Sequence, residues 1–175
     1  DFIKHIEDED LLSHYIPQPE GMTYSLREDS EEAKINKDLY GVKDGYEWNN
    51  LHFGCKWDIC DAIAEVADDG VSATFNTPWS PPIAGVRAIS EKFPDATFTL
   101  TYWEEGCDFC GAAVCKNGSV DESGVTSVSD VQHEWCERNH PELLKKALES
   151  DWSCEASDEL LEYWWDVSYE VLSEY

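Results

Sequence analysis

The sequence predicts an α+β fold in which antiparallel strands and helices share one core. Two observations support this prediction. Over residues 59–77 and 96–116, short apolar runs alternate around turn residues, as in half-buried strands. In other segments apolar residues recur every three or four positions, as in amphipathic helices. Helical patterns alone follow residue 129. We therefore expect an α+β domain over 1–118, a loop over 119–128, and a helical extension over 129–175 that packs on the domain.

The first third of the chain reads as two helices and a strand. Residues 1–15 carry apolar side chains at helical spacing and end before Pro17, which predicts one helix. A second helix is predicted over Ser30–Tyr40 and stops at the glycine that follows. The stretch over 47–60 mixes aromatic and β-branched residues around Gly54, which favours a strand with an irregular bend.

A hairpin and a helix follow. The alternating runs Ile59–Val66 and Val71–Thr77 flank Asp68-Asp69-Gly70, where the glycine can supply the positive φ of a tight turn. Ser80 is then the predicted N-cap of a helix with two prolines in its first turn. One face of that helix carries four apolar residues: Ile83, Val86, Ile89 and Phe93.

The remaining pattern predicts two strands and three helices. One strand alternates Phe98, Leu100 and Tyr102 on one side, and a second runs over 109–116 into an Asn-Gly turn. Small polar residues over 118–129 are typical of a loop or flap. Helices are predicted from Ser129 to about 138, over 141–149, and from 157 to the end.

Charge is the unusual property of the composition. The chain has 38 acidic and 12 basic residues, and its formal net charge is −26. Such a field repels nucleic acid and anionic membranes and attracts basic surfaces or cations. Direct nucleic-acid binding is therefore disfavoured, and a basic partner is favoured.

The chain reads as a soluble, cytoplasmic protein. It has no run of 18 apolar residues and no secretory signal pattern. Seven cysteines, an odd number, favour reduced thiols over a disulfide framework. Glycine-rich phosphate loops and Ca²⁺ loops are absent from the sequence, and close carboxylate pairs carry no information among so many acids. We expect no cofactor and no enzymatic activity.

The last nineteen residues place acids at every fourth position with no basic residue among them. On a helix these carboxylates form one row, spaced about 6 Å along the axis, and their repulsion costs roughly 0.2–0.5 kcal/mol per pair. Leu160 and Trp164 lie on the opposite, apolar side, so we expect the helix to pack down, against the domain, a partner or a second copy of the chain. The candidate partner-binding residues are Asp158, Glu159, Glu162, Asp166, Glu170 and Glu174.

Several short motifs lie in the middle of the chain. They are a G-x-K-W turn, a W-S-P-P helix start, an F-P pair before a strand, and a Y-x-E-x-G-x-x-F-x-G stretch. Together they resemble the YubB-like ferredoxin-like domain family of plasmids and phages, over about residues 39–111. The resemblance implies a ferredoxin-like sheet with helices on one face and residence on a mobile element, and it implies no established reaction. Members usually start with a short N-W-C strand, which this sequence lacks. The matching residues are Gly54, Lys56 and Trp57; Trp79 to Pro82; Phe93 and Pro94; and Tyr102, Glu104, Gly106, Phe109 and Gly111.

Two further groups of residues are candidate binding sites. The spacing of Cys107, Cys110, His133 and Cys136 matches a structural zinc site, which needs four nitrogen or sulfur ligands. The competing interpretation is that these cysteines are small buried apolar residues. The aromatic G-x-K-W and W-S-P-P loops could instead hold a small ligand or a peptide, with Trp57 and Trp79 as walls.

The preferred hypothesis is a non-enzymatic phage or plasmid protein that blocks a basic, nucleic-acid-binding host protein of a defence system. The acidic row would act as a set of phosphate surrogates, because carboxylates about 6 Å apart approximate every second phosphate of a DNA strand. A helix face that is merely solvated is the alternative interpretation of the same charges.

Overall fold

The computed structural model describes residues 2–67, 70–150, 159, 160 and 163, and for residues 123–125 the backbone only. The chain belongs to the α+β class that the sequence predicts. The described part contains helices α1 (Phe2–Glu7), α2 (Leu11–Tyr15), α3 (Glu31–Tyr40), α4 (Gly45–His52), α5 (Ile83–Lys92), α6 (Val128–Asn139) and α7 (Pro141–Glu149). Its strands are β1 (Cys60–Ala67), β2 (Gly70–Asn76), β3 (Phe98–Glu104), β4 (Phe109–Lys116) and β5 (Ser119–Thr126).

The chain divides into two compact units. The first contains Asp1–Phe98 and Cys115–Val120, and the second contains Thr99–Val114 and Asp121–Tyr175. The sequence pattern groups residues 99–114 with the preceding domain, whereas the structure groups them with the helices that follow.

The predicted N-terminal helix is two short helices. Glu9 adopts a left-handed backbone conformation with φ 57°, and this residue turns the chain between α1 and α2. Three apolar residues from the two helices, Ile6, Leu11 and Leu12, are nevertheless buried in one core, because the turn returns α2 to the same side. Apolar spacing alone therefore identified the core residues and missed the break.

The segment over 47–60 begins as a helix and not as the predicted bent strand. Asp44 caps α4, because its carboxylate accepts a hydrogen bond from the Glu47 backbone N–H at 3.0 Å. Glu47 in turn accepts from the Lys43 N–H at 2.9 Å, so the pair satisfies one backbone donor of the first turn and one just before the helix. The prediction for α3 is confirmed: Ser30 caps it and Gly41 ends it with φ 77°.

The predicted hairpin is confirmed. Strands β1 and β2 pair antiparallel, with Val66 opposite Val71 and Ala67 opposite Gly70, and the register shifts between Cys60 and Ile63. Ala62, Ala64, Ala73 and Phe75 pack against the core of the first unit, whereas Val66 and Val71 at the far end are exposed. The hairpin therefore extends beyond the core that it covers.

Helix α5 begins later than predicted. Pro82 is its N-cap, no side chain caps it, and Ser80 lies before its first turn. Two of the predicted face residues, Val86 and Ile89, are buried. Phe93 packs at the edge of the first core, whose buried members are Ile6, Leu11, Leu12, Phe53, Cys55, Ile59 and Ile89.

The second sheet has the strand order β3-β4-β5. Asn117 and Gly118 both have positive φ, 45° and 78°, and form the predicted tight turn between β4 and β5. Residues 119–126, predicted as a loop, are strand β5, because this turn sends the chain back along β4, where its backbone groups find partners. Small polar and acidic side chains suit β5, since it is an edge strand.

The second unit also contains helices α6 and α7 and the start of the C-terminal segment. Ser127 caps α6, and Pro141 opens α7. Buried apolar residues from these elements form one small cluster: Cys136, Leu144, Ala147 and Leu160. Among the described residues, no helix is long and apolar enough to cross a membrane.

Candidate functional site

The two aromatic loops of the sequence motifs meet in the structure through their backbones. The Gly85 N–H, in the first turn of α5, donates to the Phe53 carbonyl at 3.0 Å. A Cβ atom on Gly54 would lie 3.1 Å from the Pro81 carbonyl oxygen, and Gly54 has φ 88°. Only glycine fits a left-handed position this close to another backbone. The glycine of G-x-K-W therefore allows that turn to rest on the W-S-P-P segment.

The G-x-K-W turn is held by a polar network behind it. The Lys56 carbonyl accepts from the Asn49 side-chain amide at 2.8 Å and from the Tyr24 hydroxyl at 3.2 Å. Asn49 is 4% exposed, and its side-chain oxygen accepts from the Gln18 amide at 2.6 Å. A buried amide with partners on both sides fixes a loop more rigidly than surface contacts do.

The W-S-P-P turn is held by one hydrogen bond and one buried ring. The Thr77 hydroxyl donates to the Ser80 carbonyl at 2.9 Å, and Pro82 is fully buried. Trp79 has φ 62°. The other non-glycine residues with positive φ in the described part of the chain are Glu9, Asp61, Asp108 and Asn117, whose side chains are acids or an amide. A bulky side chain in this conformation costs about 1–2 kcal/mol, so the surrounding turn must enforce it.

Both candidate tryptophans are exposed, as a binding wall requires. The exposed fraction is 50% for Trp57 and 60% for Trp79, although indole is among the most favourable side chains to bury. Two exposed indoles on fixed turns can stack on a flat ligand or bind a cation on the ring face.

The four residues of the zinc hypothesis do not come together. Cys107 is exposed in a single 3-10 turn, Glu105–Cys107, and His133 is exposed on α6. Cys110 and Cys136 are 3% and 0% exposed, and burial raises the pKa of both thiols. Within the described part of the chain, the metal-ligating side chains that lie close together belong to a different set, at the N-terminus.

The acidic row, Asp158, Glu162, Asp166, Glu170 and Glu174, lies outside the described residues. Of the six candidate partner-binding residues only Glu159, next to the row, is described. Glu159, Leu160 and Tyr163 have helical backbone. Glu159 is exposed and Leu160 is fully buried, while the Tyr163 ring stacks on His140 at 4.3 Å.

The residues behind the loops are not recognisable from the sequence. Gln18, Tyr24 and Asn49 carry no motif, and their partners are carbonyls whose positions depend on the fold. One local signal was available: the D-x-x-E spacing of Asp44 and Glu47 is a capping pattern, and it places Asn49 on a helix.

An α+β chain with these helices, a β-hairpin and an antiparallel three-stranded sheet has the parts of a ferredoxin-like domain. Residues 52–140 match the family model described as the ferredoxin-like domain in Api92-like protein, and the chain belongs to that family. The chain is also similar to the uncharacterized protein YubB of Escherichia coli (strain K12), with 31% identity over 77 residues. That match covers 42% of this chain and 52% of YubB, so the chain spans about half the length of this relative. No solved structure matches the chain.

Proposed function

We propose that the protein is a non-catalytic binding protein whose binding surface is the pair of loops carrying Trp57 and Trp79. The observation that carries this proposal is Trp79, an exposed indole on a left-handed backbone. Backbone strain of this kind clusters at active sites and ligand-binding sites. The exposed Trp57 on the adjoining turn supports the same interpretation.

The partner that fits this surface is a basic peptide segment of another protein. Lysine and arginine bind the faces of tryptophan rings, and each such contact contributes roughly 0.5–1 kcal/mol at exposed sites and about 2 kcal/mol when desolvated. A net charge of −26 steers a cationic segment toward the protein and repels anionic ligands.

Fluorescence anisotropy of a labelled oligoarginine peptide tests the proposal. We expect Trp57→Ala and Trp79→Ala each to weaken binding by roughly 5- to 30-fold, which corresponds to about 1–2 kcal/mol. Trp103→Ala is the matched control, since it removes a partly exposed indole outside the G-x-K-W and W-S-P-P loops. If both loop variants bound the peptide as tightly as the wild type does, the proposal would be contradicted.

A second candidate function rests on the C-terminal acids. Glu159, which neighbours the first residue of the row, is exposed and Leu160 is buried, so this turn of helix has one acidic side and one packed side. In this hypothesis the row replaces DNA in the groove of a basic, nucleic-acid-binding host protein, and the phage or plasmid carrier of the gene gains protection from a defence system.

Charge reversal distinguishes an effect of the acidic row from an effect of the protein's net charge. We expect the triple variant Asp158→Lys, Glu162→Lys, Asp166→Lys to lose competition with DNA for purified basic DNA-binding proteins of bacteria. The control reverses three exposed acids elsewhere, Asp95, Asp121 and Glu142, and changes the net charge equally. Equal competition by the two triple variants would contradict this second function.

A further inference from the structure

The corner between α1 and α2 brings two histidines and a carboxylate together. His5, Asp10 and His14 each place one potential ligand atom within 4.8 Å of the others. We propose that these three residues form a binding site for a divalent metal ion such as Zn²⁺, Co²⁺ or Ni²⁺. This site is separate from the aromatic loops and from the cysteine spacing that suggested zinc.

The backbone of the corner places the three residues on one side. Beyond α1 the Asp10 N–H donates to the His5 carbonyl at 3.1 Å, and Glu9 turns the chain with φ 57°. The first turn of α2 then follows, because the His14 N–H donates to the Asp10 carbonyl at 2.8 Å. His5 before the corner, Asp10 in the corner and His14 after it are therefore close together.

The corner is fixed to the hairpin region by two acids. Both carboxylate oxygens of Asp58 accept backbone N–H groups of α2, from Leu12 at 2.9 Å and Ser13 at 2.7 Å. The Glu9 carboxylate accepts from the Ala62 N–H at 3.2 Å. The backbone that carries the three ligands is thus held before any ion binds, which lowers the ordering cost of binding.

Asp58 also explains why the Asp10 carboxylate is available. Asp10 occupies the N-cap position of α2, where an aspartate ordinarily accepts a backbone N–H, yet it makes no capping bond. Instead its Oδ1 lies 2.8 Å from His5 Nδ1. Because Asp58 accepts the N–H groups of α2, the Asp10 carboxylate lies beside the His5 ring and can serve as the third metal ligand.

The donor set selects the metal. Two imidazoles and one carboxylate suit Zn²⁺, Co²⁺ or Ni²⁺, whereas Ca²⁺ and Mg²⁺ prefer oxygen ligands alone. Ligand atoms of a tetrahedral Zn²⁺ lie about 3.3 Å apart, given Zn–N distances of about 2.0–2.1 Å. The His5 and His14 rings are stacked, with 3.4 Å between their centroids. Because His14 is exposed, its ring is able to rotate and bring its nitrogen to the ligand spacing when an ion binds. The net charge of −26 raises the local cation concentration.

Titration of the full chain with Co²⁺ and Zn²⁺ tests the site. Excess Mg²⁺ at physiological ionic strength occupies sites made of carboxylates alone. We expect one equivalent of Co²⁺ with visible d–d absorption and no thiolate charge-transfer band, since no cysteine is a ligand. We expect His5→Gln, Asp10→Asn and His14→Gln each to weaken Zn²⁺ binding at least on the order of 10-fold.

The control is His133→Gln, which removes an exposed histidine of the cysteine-rich alternative and should leave the affinity unchanged. His14 is exposed, so His14→Gln should fold like the wild type by near-ultraviolet circular dichroism. A thiolate charge-transfer band, a loss of affinity in His133→Gln, or unchanged affinity in His14→Gln would each overturn the proposal. Equal, weak binding by the wild type and a His5→Gln/His14→Gln double variant would overturn it as well.

Discussion

The two units of the chain differ in how deeply their described acidic residues are buried. In the first unit Asp44 is 1% exposed and accepts from the Leu26 and Glu47 N–H groups, and Asp58 accepts from α2. In the second unit the described helices place their acids in solvent and rest on a small cluster around Leu160. A net charge therefore does not by itself identify a functional surface, because part of it is internal structure.

The largest effect is expected at the cluster of the second unit. Leu160→Ala should lower the free energy of unfolding by roughly 2–5 kcal/mol, since Leu160 is 0% exposed and its loss leaves a cavity. Urea denaturation measures this cost. Leu148→Ala, at a residue that is 51% exposed on α7, should cost much less. Equal costs would mean that the C-terminal segment does not depend on this contact.

Two glycines of the first unit form a matched pair. Gly54 and Gly41 have φ 88° and 77°, but only at Gly54 does an added Cβ approach another backbone, whereas around Gly41 it meets nothing within 4 Å. Both alanine variants place a Cβ atom on a left-handed backbone. Gly54→Ala should lower the free energy of unfolding by about 1–3 kcal/mol more than Gly41→Ala does. Thermal unfolding of the two variants gives the difference. A difference near zero would show that the loops do not press on each other.

A buried and an exposed acid should differ in the same way. Asp44→Ala removes a helix cap and leaves backbone donors without their acceptor, so it should cost about 1–2 kcal/mol. Asp38→Ala, at an exposed position of α3, should change stability by less than about 0.5 kcal/mol. Chemical denaturation of both variants checks the contrast, and equal losses would mean that Asp44 is no more structural than a surface acid.

Cys55 should make the first unit sensitive to alkaline pH. Burial, and then the nearby charge of Asp58, raises the pKa of this thiol from 9.0 to about 12. The unfolded chain loses the thiol proton first, so this contribution is complete below pH 9 and is lost as pH rises toward 12, at about 1.4 kcal/mol per pH unit. Unfolding at pH 8 and 10 should show a steeper loss in the wild type than in Cys55→Ala. Parallel pH profiles would refute this assignment.

The smallest effect is expected at Trp79. Trp79→Gly relieves the left-handed strain, so it should raise the free energy of unfolding by up to about 1 kcal/mol or leave it unchanged, even though an aromatic side chain is lost. Trp57→Gly relieves no such strain and should lower the free energy of unfolding by roughly 0.5–1 kcal/mol. Differential scanning calorimetry resolves the opposite signs. A clear loss of stability in Trp79→Gly would show that its indole is there for packing.

Local rules predicted much of the fold. The α3 helix, the β1–β2 hairpin and the Asn117-Gly118 turn follow from caps, alternation and turn residues that are adjacent in the chain. The break at Glu9 and the strand β5 did not follow from such rules. Glu9 has a left-handed backbone while its carboxylate accepts a hydrogen bond from the distant Ala62 N–H. Strand β5 forms by pairing with β4, which its small polar and acidic side chains do not indicate.

The candidate sites show the same limit. The motifs identified Trp57 and Trp79, but Gln18 and Asn49, which fix one of the loops, carry no pattern of their own. The cysteine spacing indicated zinc, whereas the structure buries two of those cysteines apart from the other ligands. His5, Asp10 and His14 come together only because of the corner at Glu9, which no spacing rule describes.

The most direct test of the proposed function is ¹⁹F NMR of the chain labelled with 5-fluorotryptophan, with signals assigned by Trp57→Phe and Trp79→Phe. On addition of an oligoarginine peptide, we expect the Trp57 and Trp79 signals to shift together along one saturating curve, while the other six of the eight tryptophan signals stay in place. Saturable peptide binding with both signals unmoved would contradict it.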